Sequence, residues 1–260
     1  MTSFLLIFSF ILGTIIGSFL NVVAYRYRTG MTVGGRSKCF SCNKTLMWKE
    51  LIPLASYFIQ RGRCAKCRSR ISYQYPIVEA GTGILFALIF FYFPPLTTEA
   101  GITTIFYLII TSLLVIITIY DIKHKVIPDA LAYSFAILAF THIFIGHQPS
   151  LWHILAGPIL ALPFFLMWFC SRGKWMGLGD AKLVLGIGWT LGLSAGISAL
   201  ILAFWIGAII SVLWMMIVFR KFKTQYEIPF GPYLILGMYI VLFWNVKIFD
   251  LQAYASLFFP

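Results

Sequence analysis

Long apolar segments recur along most of the chain, and they constrain its fold more than any other feature. Several run for about 20 residues, the length that an α-helix needs to span the hydrocarbon core of a bilayer. Only 11% of the residues are charged, whereas soluble domains carry about a quarter. Because a water-soluble fold could not bury so many apolar runs, the sequence predicts an all-α integral membrane protein.

Eight apolar runs meet this requirement as transmembrane helices. The first has no basic residue before it and is longer than the core of a signal peptide, so we expect a retained helix. One unbroken helix from Leu183 to Phe219 would be far longer than the bilayer is thick, so we predict a break within 192–196. The predicted spans are 3–25, 76–93, 102–120, 130–146, 153–170, 181–195, 197–219 and 233–251.

The distribution of lysine and arginine predicts the orientation of these helices. Loops rich in these residues stay in the cytoplasm, and 19 of the 20 lie in alternate loops between the predicted spans. Segment 26–75 contains 11 of them, whereas Lys247 alone lies on the opposite side. We therefore expect both termini to lie outside the cytoplasm. The loops expected inside are 26–75, 121–129, 171–182 and 220–232.

The net charge of +12 is concentrated in segment 26–75. In a soluble protein such an excess would suggest a nucleic-acid partner, but no nucleic-acid-binding motif accompanies it here. In a membrane protein, positive charge at the cytoplasmic face sets topology and attracts anionic lipid headgroups. We therefore predict membrane lipids as partners and no nucleic acid.

Four of the five cysteines form two C-x-x-C pairs between the first two spans. Four thiolates at this spacing can converge tetrahedrally on one Zn²⁺ ion, and a cytoplasmic location disfavours disulfides. The zinc would be structural, because four protein ligands leave no open position. Two redox pairs or unliganded thiols are the alternatives, and we expect Cys170 to be an inert buried thiol. The predicted zinc ligands are Cys39, Cys42, Cys64 and Cys67.

Two of the eight acidic residues stand out by their positions. Asp121 closes the third predicted span, and Asp180 ends a G-x-G-D motif directly before the sixth. Ionisable groups at membrane depth are costly and are therefore candidates for function. Both would lie at the same depth, where neighbouring carboxyl groups would share a proton and could act as base and acid on a peptide bond. From spacing alone, helix capping or ion pairs with Lys123 and Lys182 are the alternative.

Further short motifs accompany the cysteines and the aspartates. In chain order the set is Gly17-Ser-Phe-Leu-Asn21-Val-Val with Arg26, the two C-x-x-C pairs around 48–57, Ile71-Ser72, Tyr75-Pro76-Ile-Val-Glu79, Asp121 with Ile127-Pro128-Asp129, Gly177-Leu-Gly179-Asp180 and Ile228-Pro229-Phe230-Gly231-Pro232. Any one of these pieces is common, but the ordered set is specific and covers nearly the whole chain. It resembles the bacterial type IV prepilin peptidase and N-methyltransferase family.

This resemblance implies a membrane aspartic peptidase of the G-x-G-D type. In that family the catalytic pair is the first aspartate of a D-x-x-x-x-x-x-x-D block and the aspartate of G-x-G-D, which here are Asp121 and Asp180. The match assigns supporting roles in the catalytic loops to Gly177, Gly179 and Asp129. We also expect Asp129 to cap the fourth helix. Since peptidases of this kind cleave without a metal ion, the cysteine loop would not be the proteolytic centre.

The resemblance further implies the substrates and a second activity. Type IV prepilins and pseudopilins carry a short basic leader ahead of an apolar helix, and family members remove the leader at the cytoplasmic face of the bacterial inner membrane. They then methylate the new amino terminus, with S-adenosylmethionine as methyl donor. The candidate cofactor-binding residues are polar groups beside the cysteine loop, Asn21, Glu50 and Glu79. Their alternative roles are a helix-end hydrogen bond for the amide, and snorkelling to the membrane surface or ion pairing for the carboxylates.

Two regions are expected in this organisation. Residues 1–93 would form an N-terminal membrane region with the cysteine loop and the methyltransferase part, and 94–260 the helical peptidase core. A presenilin-like intramembrane protease shares G-x-G-D but lacks such a cysteine loop. A proton-coupled transporter would hold its carboxyl groups nearer the membrane midplane and often shows internal repeats. The sequence therefore favours the prepilin peptidase over these two alternatives.

Overall fold

A computed structural model of the protein describes residues 2–29, 32, 34–145, 149–218 and 228–248. Within these residues the chain is helical, and its β contacts are two isolated bridges. This confirms the predicted all-α class. The elements are α1 (Thr2–Arg26), a 3₁₀ helix (Trp48–Leu51), α2 (Ala55–Ile59), α3 (Gln74–Tyr92), α4 (Thr98–His124), α5 (Asp129–His142), α6 (Leu151–Ser171), α7 (Leu178–Leu191), α8 (Leu193–Val218) and α9 (Gly231–Trp244).

Each of the eight predicted spans coincides with one helix. Five of these helices, α1, α3, α4, α6 and α8, are long and apolar enough to cross a bilayer, so the chain is a multi-pass membrane protein. The other three, α5, α7 and α9, have 14 residues each. At 1.5 Å per residue they reach about 21 Å, which is less than the hydrocarbon core of about 30 Å. Of the eight helices that coincide with predicted spans, five are therefore long enough to cross the bilayer as single helices.

The break predicted within 192–196 occurs at Gly192. This residue has φ 79° and ψ 179°, a backbone conformation that glycine adopts without steric cost. Helix α7 therefore ends at Leu191, earlier than the predicted 195, and α8 begins at Leu193. Several other predicted features lie outside the described residues: the span ends at 146, 219 and 249–251, and the basic residues Arg220, Lys221 and Lys223.

The chain divides into two packed units, Met1–Ile119 and Tyr120–Pro260. In the first unit α1 packs along α3. A Cβ atom on Gly13 would lie 2.7 Å from the carbonyl oxygen of Thr82 and 2.8 Å from the Cα of Gly83. Small residues at such contacts let two membrane helices approach closely, so that dispersion forces hold them together.

In the second unit α7 lies at the centre and contacts α5, α6, α8 and α9. Glycines again permit the contacts. A Cβ atom on Gly188 would lie 2.7 Å from the Cα of Gly157 in α6, and the Phe135 ring of α5 lies directly against Gly186. The packing on several sides fixes the position of α7 and with it the position of Asp180 in its first turn.

Cys170, near the end of α6, is exposed, and the prediction that it is buried is wrong. Helix α6 is long and apolar enough to cross a membrane. In such a helix apolar side chains cover the lipid-facing side as well as the packed side, so hydrophobicity alone does not reveal which side a thiol occupies.

We expect Gly13→Ala to lower the thermal stability of the purified protein in detergent. The added methyl group would collide with the backbone of α3, and overpacking of this kind costs about 1–3 kcal/mol. Gly81→Ala is the matched control, because nothing lies within 4 Å of a Cβ atom at Gly81 in α3. Equal melting temperatures for the two variants would contradict the close contact of α1 with α3.

Candidate active site and metal centre

The Asp121 carboxylate is buried at the end of α4, with 4% of the residue exposed. Its Oδ2 atom accepts a hydrogen bond of 3.0 Å from the backbone N–H of Gly231. Gly231 is the first residue of α9, where the N–H groups have no partner within the helix and the helix dipole favours a negative charge. The start of α9 is thus a binding position for this carboxylate.

Asp180 lies in the first turn of α7, which follows the N-cap residue Gly177. Its carboxylate is half-buried and lies against the start of its own helix, where a Cβ atom on Gly177 would be 3.7 Å from the Asp180 Oδ2. At this position the dipole of α7 favours a negative charge. The carboxyl groups of Asp180 and Asp121 are close enough to interact electrostatically. Two carboxyl groups from distant parts of the chain therefore lie near each other, one beside the start of α9 and the other at the start of α7.

Ile127, in the connection between α4 and α5, lies between these helix starts. It is 7% exposed. A Cβ atom on Gly179 would lie 2.7 Å from the Ile127 Cβ. A Cβ atom on Gly231 would lie 3.2 Å from the Ile127 Cδ1 and 2.7 Å from the Asp121 Oδ2. Because both glycines leave this space free, α7 and α9 can start beside the end of α4.

The sequence contained Ile127 and Gly231 only as pieces of motifs and assigned neither a role. Their contacts depend on three separated segments of the chain. The one local signal was the Gly231-Pro232 pair, since a proline is favoured in the first turn of a helix and thus indicates that α9 starts there.

Asp129 is not the cap of α5. Pro128 is the N-cap residue, without a side-chain capping bond, and Asp129 is the first helical residue. The Asp129 Oδ1 instead accepts a hydrogen bond of 2.8 Å from the Lys182 Nζ, whose charge also lies 4.6 Å from the centre of the Tyr133 ring. Lys182 therefore pairs with Asp129, not with Asp180 as the alternative reading of the sequence allowed, and the ion pair joins α5 to α7 beside the carboxyl pair.

Such a pair of carboxyl groups can perform acid–base chemistry. Two neighbouring carboxyl groups do not both ionise readily, so the pair retains one proton. The ionised member can accept a proton from water, while the protonated member can donate a hydrogen bond to a carbonyl oxygen. This is the chemistry that hydrolysis of a peptide bond by an aspartic peptidase requires.

The four cysteines of the loop converge in the first unit. Their Sγ atoms all lie within 4.8 Å of one another, and those of Cys39 and Cys67 are 3.8 Å apart. A tetrahedral thiolate site with metal–sulfur bonds of about 2.3 Å has edges of about 3.8 Å. The cluster therefore has the size and the donor set of a metal site. Its members are Cys39, Cys42, Cys64 and Cys67.

The two C-x-x-C pairs form the same backbone turn twice. In each, the N–H of the first cysteine donates to the carbonyl five residues later, and the residue after the second cysteine donates to the carbonyl of the first. That following residue, Asn43 or Arg68, has a positive φ, of 53° or 56°. One isolated bridge closes each turn. The loop is thus a pair of equivalent turns, each presenting two thiols to a common centre.

The thiols are electrostatically unlike one another. Hydrogen bonds from the backbone N–H groups of Cys42 and Ser41 lower the pKa of Cys39 to about 6. The backbone of Lys44 lowers the pKa of Cys42, but burial and the neighbouring cysteines outweigh this effect and raise that pKa to about 11. Four adjacent thiolates need a compensating cation, which a divalent metal ion would supply.

The polar side chains of all three candidate cofactor-binding residues form hydrogen bonds or an ion pair within the protein. The amide of Asn21 is buried and donates to a backbone carbonyl at the start of α3 at 3.4 Å. Glu50 forms a 2.7 Å ion pair with Lys44, and this hydrogen bond lowers the pKa of Glu50. The Glu79 carboxylate is buried and accepts a 2.8 Å hydrogen bond from the backbone N–H of Leu54. The contacts of Asn21 and Glu50 match the structural alternatives, whereas Glu79 binds a backbone N–H instead of a cation. Binding of a methyl donor by the three residues stays a prediction.

Comparison with known proteins identifies the family. Residues 11–93 match the family model of the Bacterial Peptidase A24 N-terminal domain, and residues 108–212 match that of the Type IV leader peptidase family. The prepilin leader peptidase/N-methyltransferase of Aeromonas hydrophila is 30% identical over 92% of this chain and 90% of the relative. The proteins of that name from Pseudomonas aeruginosa and Bacillus subtilis are each 29% identical and cover 92% and 88% of this chain, and 90% of their own length. No solved structure matches the chain.

The fold and the site are those of a multi-pass membrane protein with a paired-carboxyl centre. With matches of this length, the chain belongs to the type IV leader peptidase family, which includes the bacterial prepilin leader peptidase/N-methyltransferases. The resemblance drawn from the ordered motifs is confirmed.

We expect elemental analysis of the purified protein to find about one divalent metal ion per chain. Cys42→Ser should lose the ion, because three ligands hold a structural metal much less tightly than four. Cys170→Ser is the matched control, since this thiol lies on α6 outside the cluster. Stoichiometric metal in the Cys42 variant, or none in the wild type, would contradict the site.

Proposed function

We propose that this protein is a membrane aspartic endopeptidase that removes the leader from type IV prepilins or pseudopilins, with Asp121 and Asp180 as the catalytic pair. The meeting of these carboxyl groups at the starts of α9 and α7 carries the proposal. Membership of the type IV leader peptidase family supports the substrate class.

In this mechanism the carboxyl pair begins the reaction with one shared proton. The ionised member takes a proton from water as the water oxygen attacks the scissile carbonyl carbon, and the protonated member donates a hydrogen bond to the carbonyl oxygen. The tetrahedral intermediate then collapses, the C–N bond breaks, and the leaving amine receives a proton from the pair. Gly177, Gly179 and Asp129 support the arrangement: Gly177 is the N-cap residue of α7, Gly179 packs closely against Ile127, and Asp129 binds Lys182.

The same protein is proposed to methylate the new amino terminus. The relatives' shared name and the match of residues 11–93 to the N-terminal family model support this second activity, which we assign to residues 1–93. S-adenosylmethionine, as the methyl donor, would supply an activated methyl group. The thiolate donor set and spacing of the cysteine cluster favour Zn²⁺ as its metal, in a structural role. The peptidase core is proposed to be 94–260.

The location follows from the charge distribution. Because 19 of the 20 lysine and arginine residues lie in alternate loops, we propose that the cysteine loop and both aspartates face the cytoplasm at the bacterial inner membrane. A prepilin helix held in the bilayer would present its leader junction at this depth. Anionic lipid headgroups are the further partners expected for the basic loop.

Replacement of either aspartate should abolish cleavage. Asp121→Asn and Asp180→Asn each remove a titratable carboxyl group, and we expect leader removal from a prepilin to fall at least about 100-fold. The measurement is the product mass after incubation of detergent-purified enzyme with prepilin and S-adenosylmethionine. Wild type should give the mass loss of the leader and then a gain of one methyl group.

The control for these variants is Glu99→Gln. Glu99 is an exposed carboxylate in the first turn of α4, the helix that also carries Asp121. Cleavage by both aspartate variants at the wild-type rate would show that the pair is wrongly assigned. A folded wild type that cleaves no prepilin but moves protons across vesicles would favour the transporter, and cleavage within the substrate's membrane helix would favour a presenilin-like protease.

We expect Gly231→Ala to reduce cleavage by about 100-fold while the protein stays folded. The new methyl group would lie 2.7 Å from the Asp121 Oδ2 and would displace the carboxylate, and small displacements of reacting groups cost about this much. Gly101→Ala is the matched control in α4, where the nearest atom to the new Cβ is 3.9 Å away. Equal cleavage rates for the two variants would contradict the role of the α9 start.

A further inference from the structure

The backbone at Leu54 has an uncommon conformation. Its φ is 59° and its ψ is −55°, and the N–H of Ala55 donates to the carbonyl of Pro53 at 2.6 Å. This is a γ-turn with positive φ, the rarer and more strained of the two γ-turn forms. A residue with a side chain persists there only when surrounding contacts determine the backbone, and such strain concentrates at functional sites.

Glu79 supplies such a contact. Its carboxylate is 6% exposed and accepts a 2.8 Å hydrogen bond from the N–H of Leu54 itself. A Cβ atom on Gly17 would lie 3.0 Å from the Glu79 Cα, so α1 approaches α3 closely here. One buried carboxylate therefore lies where α1 approaches α3 and binds the strained turn, and this hydrogen bond offsets part of the cost of burying its charge.

The strained turn lies midway between the two cysteine turns. Before it, the 3₁₀ helix carries Glu50, which binds Lys44 beside the first cysteine turn. After it, α2 leads to Gly62, whose N–H donates to the Tyr57 carbonyl. The Gly62 carbonyl accepts from the N–H of Ile71, directly after the second cysteine turn. Fixing the backbone at Leu54 therefore fixes the middle of the cysteine loop against α1 and α3.

We propose that Glu79 is a positioning residue for amino-terminal methylation, which acts by holding the strained Leu54 turn rather than by binding the methyl donor. This inference rests on the proposed assignment of methyl transfer to residues 1–93. The hydrogen bond uses an acceptor oxygen, so the amide of a glutamine can replace the carboxylate. The strain belongs to the Leu54 side chain, so glycine at that position removes the need for the hydrogen bond, because glycine adopts positive φ as readily as negative φ.

The experiment compares four variants with wild type: Glu79→Ala, Glu79→Gln, Leu54→Gly and the Leu54→Gly, Glu79→Ala double variant. Each purified enzyme is incubated with prepilin and S-adenosylmethionine, and mass spectrometry gives the methylated fraction of the cleaved product. Steady-state rates at varied donor concentration give kcat and KM for methylation. Glu99→Ala on the exposed start of α4 is the control for loss of a carboxylate.

We expect Glu79→Ala to lower kcat for methylation about tenfold, with KM for the donor within about threefold of wild type. Glu79→Gln and Leu54→Gly should stay near wild type, and the double variant should recover most of the loss. If Glu79→Ala does not accumulate as folded protein, accumulation and methylation by the double variant support the same conclusion.

Two results would overturn the inference. A double variant as inactive as Glu79→Ala, or a Glu79→Gln variant with a strongly raised KM, would show that Glu79 acts on the donor directly. Methylation by wild type in those experiments would leave the proposed function standing. A wild type that cleaves prepilin but never methylates it would instead overturn the methyltransferase assignment, and this inference with it.

Discussion

The hydrogen bond from the Gly231 N–H to the Asp121 carboxylate is the contact on which the proposed active site depends. A carboxylate buried at the end of an apolar helix is costly unless donors face it, and the start of α9 provides an N–H group that lacks a partner in its own helix. Only a residue without Cβ allows this approach, since a methyl group would lie 2.7 Å from the carboxylate oxygen. The position of α9 and the chemistry of Asp121 are therefore linked.

The start of α7, like that of α9, depends on a glycine that leaves space for a neighbouring side chain. Asp180 lies in the first turn of its own helix, where the helix dipole favours a negative charge, and Gly179 leaves room for the Ile127 side chain, which also contacts the start of α9. The glycine of the G-x-G-D motif thus serves packing between the α4–α5 connection and α7. In a membrane, where apolar side chains gain little by moving from lipid to protein, close approach of this kind is a main source of helix association.

The cysteine loop is stabilised differently from the helices, because it has too few apolar side chains to form a hydrophobic core of its own. Two equivalent turns bring four thiols together, and the buried Glu79 carboxylate joins the middle of the loop to α1 and α3 through the Leu54 turn. Polar contacts and the proposed metal ion would thus replace a hydrophobic core. Its exposed aromatic and basic surface, including Trp48 and Phe58, suits the boundary between water and lipid headgroups.

The sequence by itself determined the membrane class, the helix positions, the two cysteine pairs and the family, because hydrophobic run length and ordered motifs are local properties of a chain. It could not give the exact lengths of helices such as α7, which ends at Leu191 before a glycine of positive φ. Only the tertiary structure decided that Lys182 pairs with Asp129, that Gly231 holds Asp121, and that Glu79 binds a strained turn 25 residues earlier. Each of these contacts joins segments far apart in the chain, so which side chains come together depends on how the helices pack.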